Sequence, residues 1–318
     1  MLNSPRLSGR ASLRLLAAIS AIALVAGAAL AAPAAQAWPR TAAPVQAFTS
    51  DRLSVEVLGS GPDVILIPGF ASSREVWRAE AERLKATHRV HLVQLAGFAG
   101  EPWSHGDGAF VEPAVEALAR YIRETGLERP AIIGHSMGGL AGLMLAQRHP
   151  ELPGRVMTVD SLPFFSALYG PQATTESARP FAEQAAAGIL SADEATFRTG
   201  QERAAVGYSR TPATQTAMVD WSMRSDRRAM AAAIREVMTT DLRAGLADVA
   251  VPVWALYASD ADGGAPAAMA DALWAREYAG LPAVRLVRVD DSRHFIMADQ
   301  PERFAALVDQ FLATDGRR

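Results

Sequence analysis

The chain of 318 residues contains no cysteine. That absence excludes disulfides, thiolate metal sites and a cysteine nucleophile together, so the fold must be held by its core. Lysine is almost missing as well. Lys85 stands alone among arginines, which is a bias of composition rather than a binding device. Nor is there a surplus of positive charge: the formal net charge is −3, which gives no support for nucleic-acid binding. Beyond the amino-terminal stretch there is no internal repeat and no low-complexity tract.

That stretch, residues 1–37, carries Arg6, Arg10 and Arg14, then an apolar run over 15–32, then Ala35-Gln36-Ala37 ahead of Trp38. A basic start, an apolar centre and a small-x-small site spell a secretory signal peptide. An uncleaved anchor is the alternative, since the run is long enough to span. Its Ala and Gly content and its cleavage-like end favour removal. With no cysteine after the run, a lipid anchor there is unsupported. Removal takes the net charge to about −6. The expectation is a periplasmic or secreted protein with no stable membrane anchor after cleavage.

Residues 38–50 are Pro- and Ala-rich without periodicity and read as a flexible lead-in. Strand and helix signals then alternate. Strand-like segments fall at 53–58, 64–67, 90–94, 156–159, 253–257 and 284–289, with helix-like stretches at 75–86, 113–125 and 140–149. Short apolar strands separated by helices predict an α/β fold with a mostly parallel, doubly wound sheet covered on both faces. Residues 162–247 break the rhythm with Ala- and Arg-rich helical patterns, predicting a helical cap inserted between late strands. The core is accordingly split into 51–161 and 248–318.

Residues 134–139 read Gly-His-Ser-Met-Gly-Gly directly after the apolar Pro130-Ala131-Ile132-Ile133. Strand, Gly-x-Ser-x-Gly and helix in succession write a nucleophile elbow. The serine sits on a strained turn that flanking glycines make sterically possible. Ser136 is the candidate nucleophile, and Met137, opening the helix, offers a free N–H to an oxyanion. The second donor is expected from Phe70, in the Pro68-Gly69-Phe70 loop after the first apolar strand. A base and an orienting acid should follow in the order Ser, Asp or Glu, His. His294, just past strand 284–289, is the base. Of the acids after strand 253–257, Asp260 is favoured because it comes first, and Asp262 could instead serve the turn before Gly263. Asp160, ending the strand after the elbow helix, is a third candidate. Phe164, Phe165, His135 and Trp77 are candidates for lining the substrate site, among loop aromatics that include Phe98, Trp103 and Tyr169.

Taken together, Pro-Gly-Phe, Gly-His-Ser-Met-Gly-Gly, a strand followed by Asp, and Ser-Arg-His-Phe resemble the α/β-hydrolase fold superfamily. The resemblance runs over about 51–312 and is strongest to capped, serine-nucleophile members such as esterases, lactonases, haloperoxidase-like enzymes and carbon–carbon hydrolases. Pro68-Gly69 stands where many relatives carry His-Gly, so the backbone donor survives and any role of that histidine is lost. A serine at the elbow argues against the dehalogenase and epoxide-hydrolase branches, which need a carboxylate. The resemblance implies a hydrolase that cleaves a small carboxylic ester or lactone through an acyl-enzyme, with no metal and no organic cofactor. An acyltransferase, carbon–carbon hydrolase or lyase, or a receptor-like binding protein, are the alternatives the same scaffold hosts.

Overall fold

A computed structural model of the chain describes residues 46–313. The export signal expected over 1–37 and most of the lead-in lie outside the described residues. The lead-in's last part is not irregular: Gln46–Thr49 forms strand β1, paired antiparallel with β2 (Leu53–Gly59).

The remaining strands are β3 (Asp63–Ile67), β4 (Arg89–Leu95), β5 (Ala131–His135), β6 (Arg155–Val159), β7 (Val253–Ser259) and β8 (Val284–Asp290). They make one eight-stranded sheet in the order β1-β2-β4-β3-β5-β6-β7-β8. From β4 to β8 every pairing is parallel. Alternation along each strand sends side chains to two separate cores. Ile65 and Ile67 of β3 join Ile132 and Val156 on one face, while Val64 and Leu66 join Ile133, Met157 and Val159 on the other. Burial on both faces explains why the central strands are nearly all apolar.

The first core packs beneath α2 (Val111–Glu124) and the elbow helix α3 (Met137–Arg148); the second packs beneath α1 (Arg78–Leu84) and the carboxy-terminal α10 (Pro301–Ala313). Every α3 residue from Met137 to Ala146 is buried, and this central helix accordingly lacks a polar stripe.

Between β6 and β7 lie four helices: α4 (Thr175–Ser191), α5 (Glu194–Tyr208), α6 (Pro212–Arg224) and α7 (Arg227–Thr239). They pack as two pairs, α4 with α7 and α5 with α6. Local chemistry starts them: Asp193 accepts the Thr196 amide, Asp226 accepts the Arg228 and Ala229 amides, and Thr174 forms a capping box with Ser177, each cap contributing about 1 kcal/mol. Glu236 of α7 ties the insertion to the sheet domain. Its carboxylate accepts the Phe110, Val111 and Glu112 amides at 2.6, 2.8 and 3.3 Å, where the helix dipole of α2 favours an anion. After β7 come α8 (Ala267–Glu277), then the short α9 (Ile296–Asp299) past β8. Among the described residues no helix is long and apolar enough to cross a membrane.

Candidate active site

Ser136 stands between β5 and α3 with φ 53° and ψ −122°, a conformation that costs a non-glycine residue on the order of 1–3 kcal/mol. The surrounding structure enforces it. The Ser136 amide donates to Val159 O at 2.9 Å, and its carbonyl accepts from Gly139 and Leu140 at 2.8 and 3.1 Å. The motif's glycines are needed for close packing. A Cβ on Gly134 would run into the Gly138 backbone, and one on Gly138 into the Ile67 and Pro68 carbonyls. Backbone cannot move aside as a flexible side chain can. The loop after β3 also presses on the elbow, since a Cβ on Gly69 would lie 3.0 Å from Ser136 Cβ. Phe70 follows Gly69, and its ring meets Phe98 edge-on at 5.6 Å. Met137 begins α3, so its N–H has no intrahelical acceptor.

His294 lies in the loop after β8, and its Nδ1–H donates to Asp160 Oδ2 at 2.7 Å. This corrects the expectation that Asp260 would hold it. Asp160 follows directly on β6 in a left-handed conformation, φ 46°, which aims its side chain out of the strand line. Its other oxygen accepts the Ala258 amide at 2.9 Å, so both carboxylate oxygens are oriented. Asp260 is engaged elsewhere. It opens the tight return to Ala265, with which it exchanges backbone bonds at 2.8 and 2.9 Å. Its buried carboxylate accepts Arg293 Nε at 2.7 Å, Arg210 Nη1 at 3.0 Å and the Asp262 amide at 3.1 Å. Burial pushes the Asp260 carboxyl up, but the Arg293 bond, the Gly263 amide and the two guanidinium charges outweigh it and hold it below its ordinary range. Asp262 is exposed at the turn and makes no bond to His294.

The expected lining residues divide. Trp77 and Phe164 have no solvent-accessible surface, so neither borders a space large enough for water. Trp77 stacks on Phe304 at 5.9 Å, and Phe164 packs with Ala167 and Ala178 under the Arg243 guanidinium. Phe165 is half-buried against the first core. Phe98 and Trp103 stack on Phe110 as core.

His135 is buried beneath His294, with ring centres 4.5 Å apart, and its Nε2 lies 2.9 Å from the His294 carbonyl oxygen. A carbonyl only accepts, so Nε2 carries the proton and Nδ1 the lone pair. Burial, with the His294 ring adding, holds the His135 imidazole far below its ordinary range. The folded protein therefore excludes a proton that the unfolded chain binds below about pH 6.5. The stability this leaves is complete above that pH and declines as pH falls, by about 1.4 kcal/mol per unit for this one group. Urea midpoints at pH 7.5 and 5.5 should show a smaller decline in His135→Gln than in the wild type. Equal declines would remove His135 as the source.

Sequence reading missed Tyr208, at the end of α5, whose ring centre is 5.2 Å from that of His294. Burial pushes its phenol up, with Tyr169 nearby adding to the effect; burial does the same at Tyr169. Both are therefore protonated at neutral pH and able to donate. No periodicity or motif marks Tyr208, whereas Tyr169 stands among the loop aromatics. Among the described residues no cluster of His, Asp or Glu has metal-ligand geometry.

A family model described as "Alpha/beta hydrolase family" matches residues 64–307. A pimeloyl-[acyl-carrier protein] methyl ester esterase of Aromatoleum aromaticum is 29% identical over 259 residues, covering 78% of this chain and 97% of the relative. The esterase of the same name from Aeromonas hydrophila is 37% identical over 115 residues, 36% of this chain. There the chain spans under half of the relative, 44% of its length. Among solved structures, the enol-lactonase from Burkholderia xenovorans LB400 matches with TM-score 0.67 at 18% identity, over 82% of this chain and 96% of that one. A thermophilic esterase from Thermogutta terrifontis matches with TM-score 0.68 at 21% identity, over 82% and 92%. At such identities the likeness is one of fold.

Proposed function

Because the chain belongs to the alpha/beta hydrolase family, we propose that it is a serine hydrolase acting on a small, uncharged carboxylic ester or lactone, with Ser136, His294 and Asp160 as its catalytic residues. The observation that carries this reading is the 2.7 Å bond from His294 Nδ1 to Asp160, on a loop whose His294 carbonyl accepts from His135 of the strained elbow. Asp160 fixes the tautomer of His294 with its Nε2 lone pair free to take the Ser136 proton, and stabilises the imidazolium that results.

Ser136 Oγ attacks the ester carbonyl as its proton passes to His294. The oxyanion is held by the Met137 and Phe70 amides. Collapse expels the alcohol, which takes the proton from His294 and leaves an acyl-serine. Water, deprotonated by His294, attacks that acyl group and returns the serine and a carboxylic acid. The names of the relatives, esterases and an enol-lactonase, favour ester bonds among the reactions this scaffold supports. The basic-apolar-small pattern of residues 1–37 supports export, which a mature protein beginning near Trp38 in mass spectrometry would bear out.

The test is a panel of 4-nitrophenyl esters of graded acyl length, aliphatic and aromatic lactones and anilides, assayed beside Ser136→Ala. Turnover of esters or lactones by the wild type, lost in the variant, is expected. Equal inertness of both proteins across the panel would sink the reading.

A further inference from the structure

The peptide groups around His294 are tied to one small region of the helical insertion, one directly and one through Asp299 at the end of α9. The Arg293 amide donates to Asp299 Oδ2 at 2.9 Å. The other oxygen of that carboxylate accepts Ser209 Oγ at 2.6 Å, the Arg210 amide at 2.9 Å and Thr211 Oγ1 at 3.1 Å. On the far side of His294, the Phe295 amide donates to Tyr208 O at 3.0 Å. A second bridge runs in parallel, for Asp260 joins Arg293 to Arg210, and Arg293 Nη1 reaches Val206 O. Residues 206–211 span the last turn of α5 and the corner that leads into α6. Ser209 at that corner is fully buried, so its hydroxyl meets Asp299 out of water, where such bonds are strongest and costliest to break.

We propose that Asp299 is a positioning residue that couples the α5–α6 corner to the loop of His294, so that the base is correctly seated only while the corner is. The proposal rests on His294 acting as the base. The bonds hold the peptides around His294 rather than its ring. A displaced corner therefore frees the loop and lets the imidazole leave its place against Asp160. An error of about 1 Å in the placing of a catalytic group costs on the order of a hundredfold in rate. The coupling also gives the site a way to select substrates. An acyl or alcohol group that fits under the seated corner reacts, whereas one that pushes the corner away binds and turns over slowly. Size discrimination should then be found in kcat rather than in KM alone.

The experiment substitutes only the insertion side, in Ser209→Ala/Thr211→Val, and reads the loop by hydrogen exchange and the site by kinetics. Exchange of the segment containing Arg293 and Phe295 is expected to quicken about tenfold while the central strands stay protected. On 4-nitrophenyl acetate, kcat should fall about tenfold with KM within about twofold. Asp299→Asn keeps a single acceptor oxygen and should show the same pattern, and Ser209→Ala alone provides a milder form if the double variant folds poorly. Loop exchange within twofold of the wild type in a folded variant overturns the coupling, whatever the activity. Conversely, quickened exchange in a protein whose wild type hydrolyses no ester upholds the coupling and removes the hydrolase reading instead.

Discussion

Asp160→Asn is expected to lower kcat by about 10⁴, close to 5 kcal/mol of transition-state stabilisation, with little change in KM. The neighbours of Asp160 dictate the size of the effect. The Ala258 amide donates to Oδ1 and the His294 ring meets Oδ2. An asparagine must keep its oxygen toward the Ala258 N–H, because two donors cannot face each other. Its NH2 then points at His294 Nδ1, which is forced to become the acceptor, and the ring proton moves to Nε2. That tautomer cannot take a proton from Ser136. Asp260→Asn is the companion measurement. It leaves the Asp160–His294 bond untouched and disturbs the Arg210 and Arg293 contacts. Its cost should fall on stability, about 2 kcal/mol by denaturant titration, with kcat reduced less than tenfold. A large kcat loss in Asp260→Asn beside a small one in Asp160→Asn would reverse the assignment.

Ser136→Ala is expected to lower kcat/KM by about 10⁶, leaving the residual rate that the Phe70 and Met137 amides and substrate binding supply alone. Alanine accepts the same strained turn no more easily than serine, and the bonds that enforce it are made by the Ser136 backbone. Stability should therefore change by less than about 1 kcal/mol, which separates a lost nucleophile from a lost fold. A fluorophosphonate probe offers a second readout: the Ser136 oxygen bonds to phosphorus as fluoride leaves. Intact-mass analysis should find one adduct on the wild type and none on Ser136→Ala. Labelling of the variant at another serine would disprove Ser136 as the nucleophile.

Much of the fold was legible because its signals are local. The apolar runs that became β3 to β7 mark strands buried on both faces, β8 at the sheet edge being only partly buried. The helical stretch from 162 to 247 matches the insertion's place between β6 and β7. The lead-in was misread at 46–49, where a strand is held by pairing with β2 rather than by its own composition. At the candidate site, Ser136 and His294 are singled out by the strand, glycine and loop context on either side of each.

The carboxylate that bonds to His294 could not be found that way. Asp160 and Asp260 both follow an apolar strand, and position after the strand 253–257 made Asp260 the favoured choice. Two facts of three-dimensional placement separate them. Asp160 directly follows β6, the neighbour of the elbow strand β5, and takes a left-handed turn there that the strand pattern does not mark. Asp260 is claimed by Arg210, fifty residues away in the insertion, and by Arg293 beside the base itself. Local pattern depends on backbone geometry that a few neighbouring residues set for themselves. Which carboxylate meets which cation depends on where distant segments come to rest, and that is a property of the folded chain as a whole.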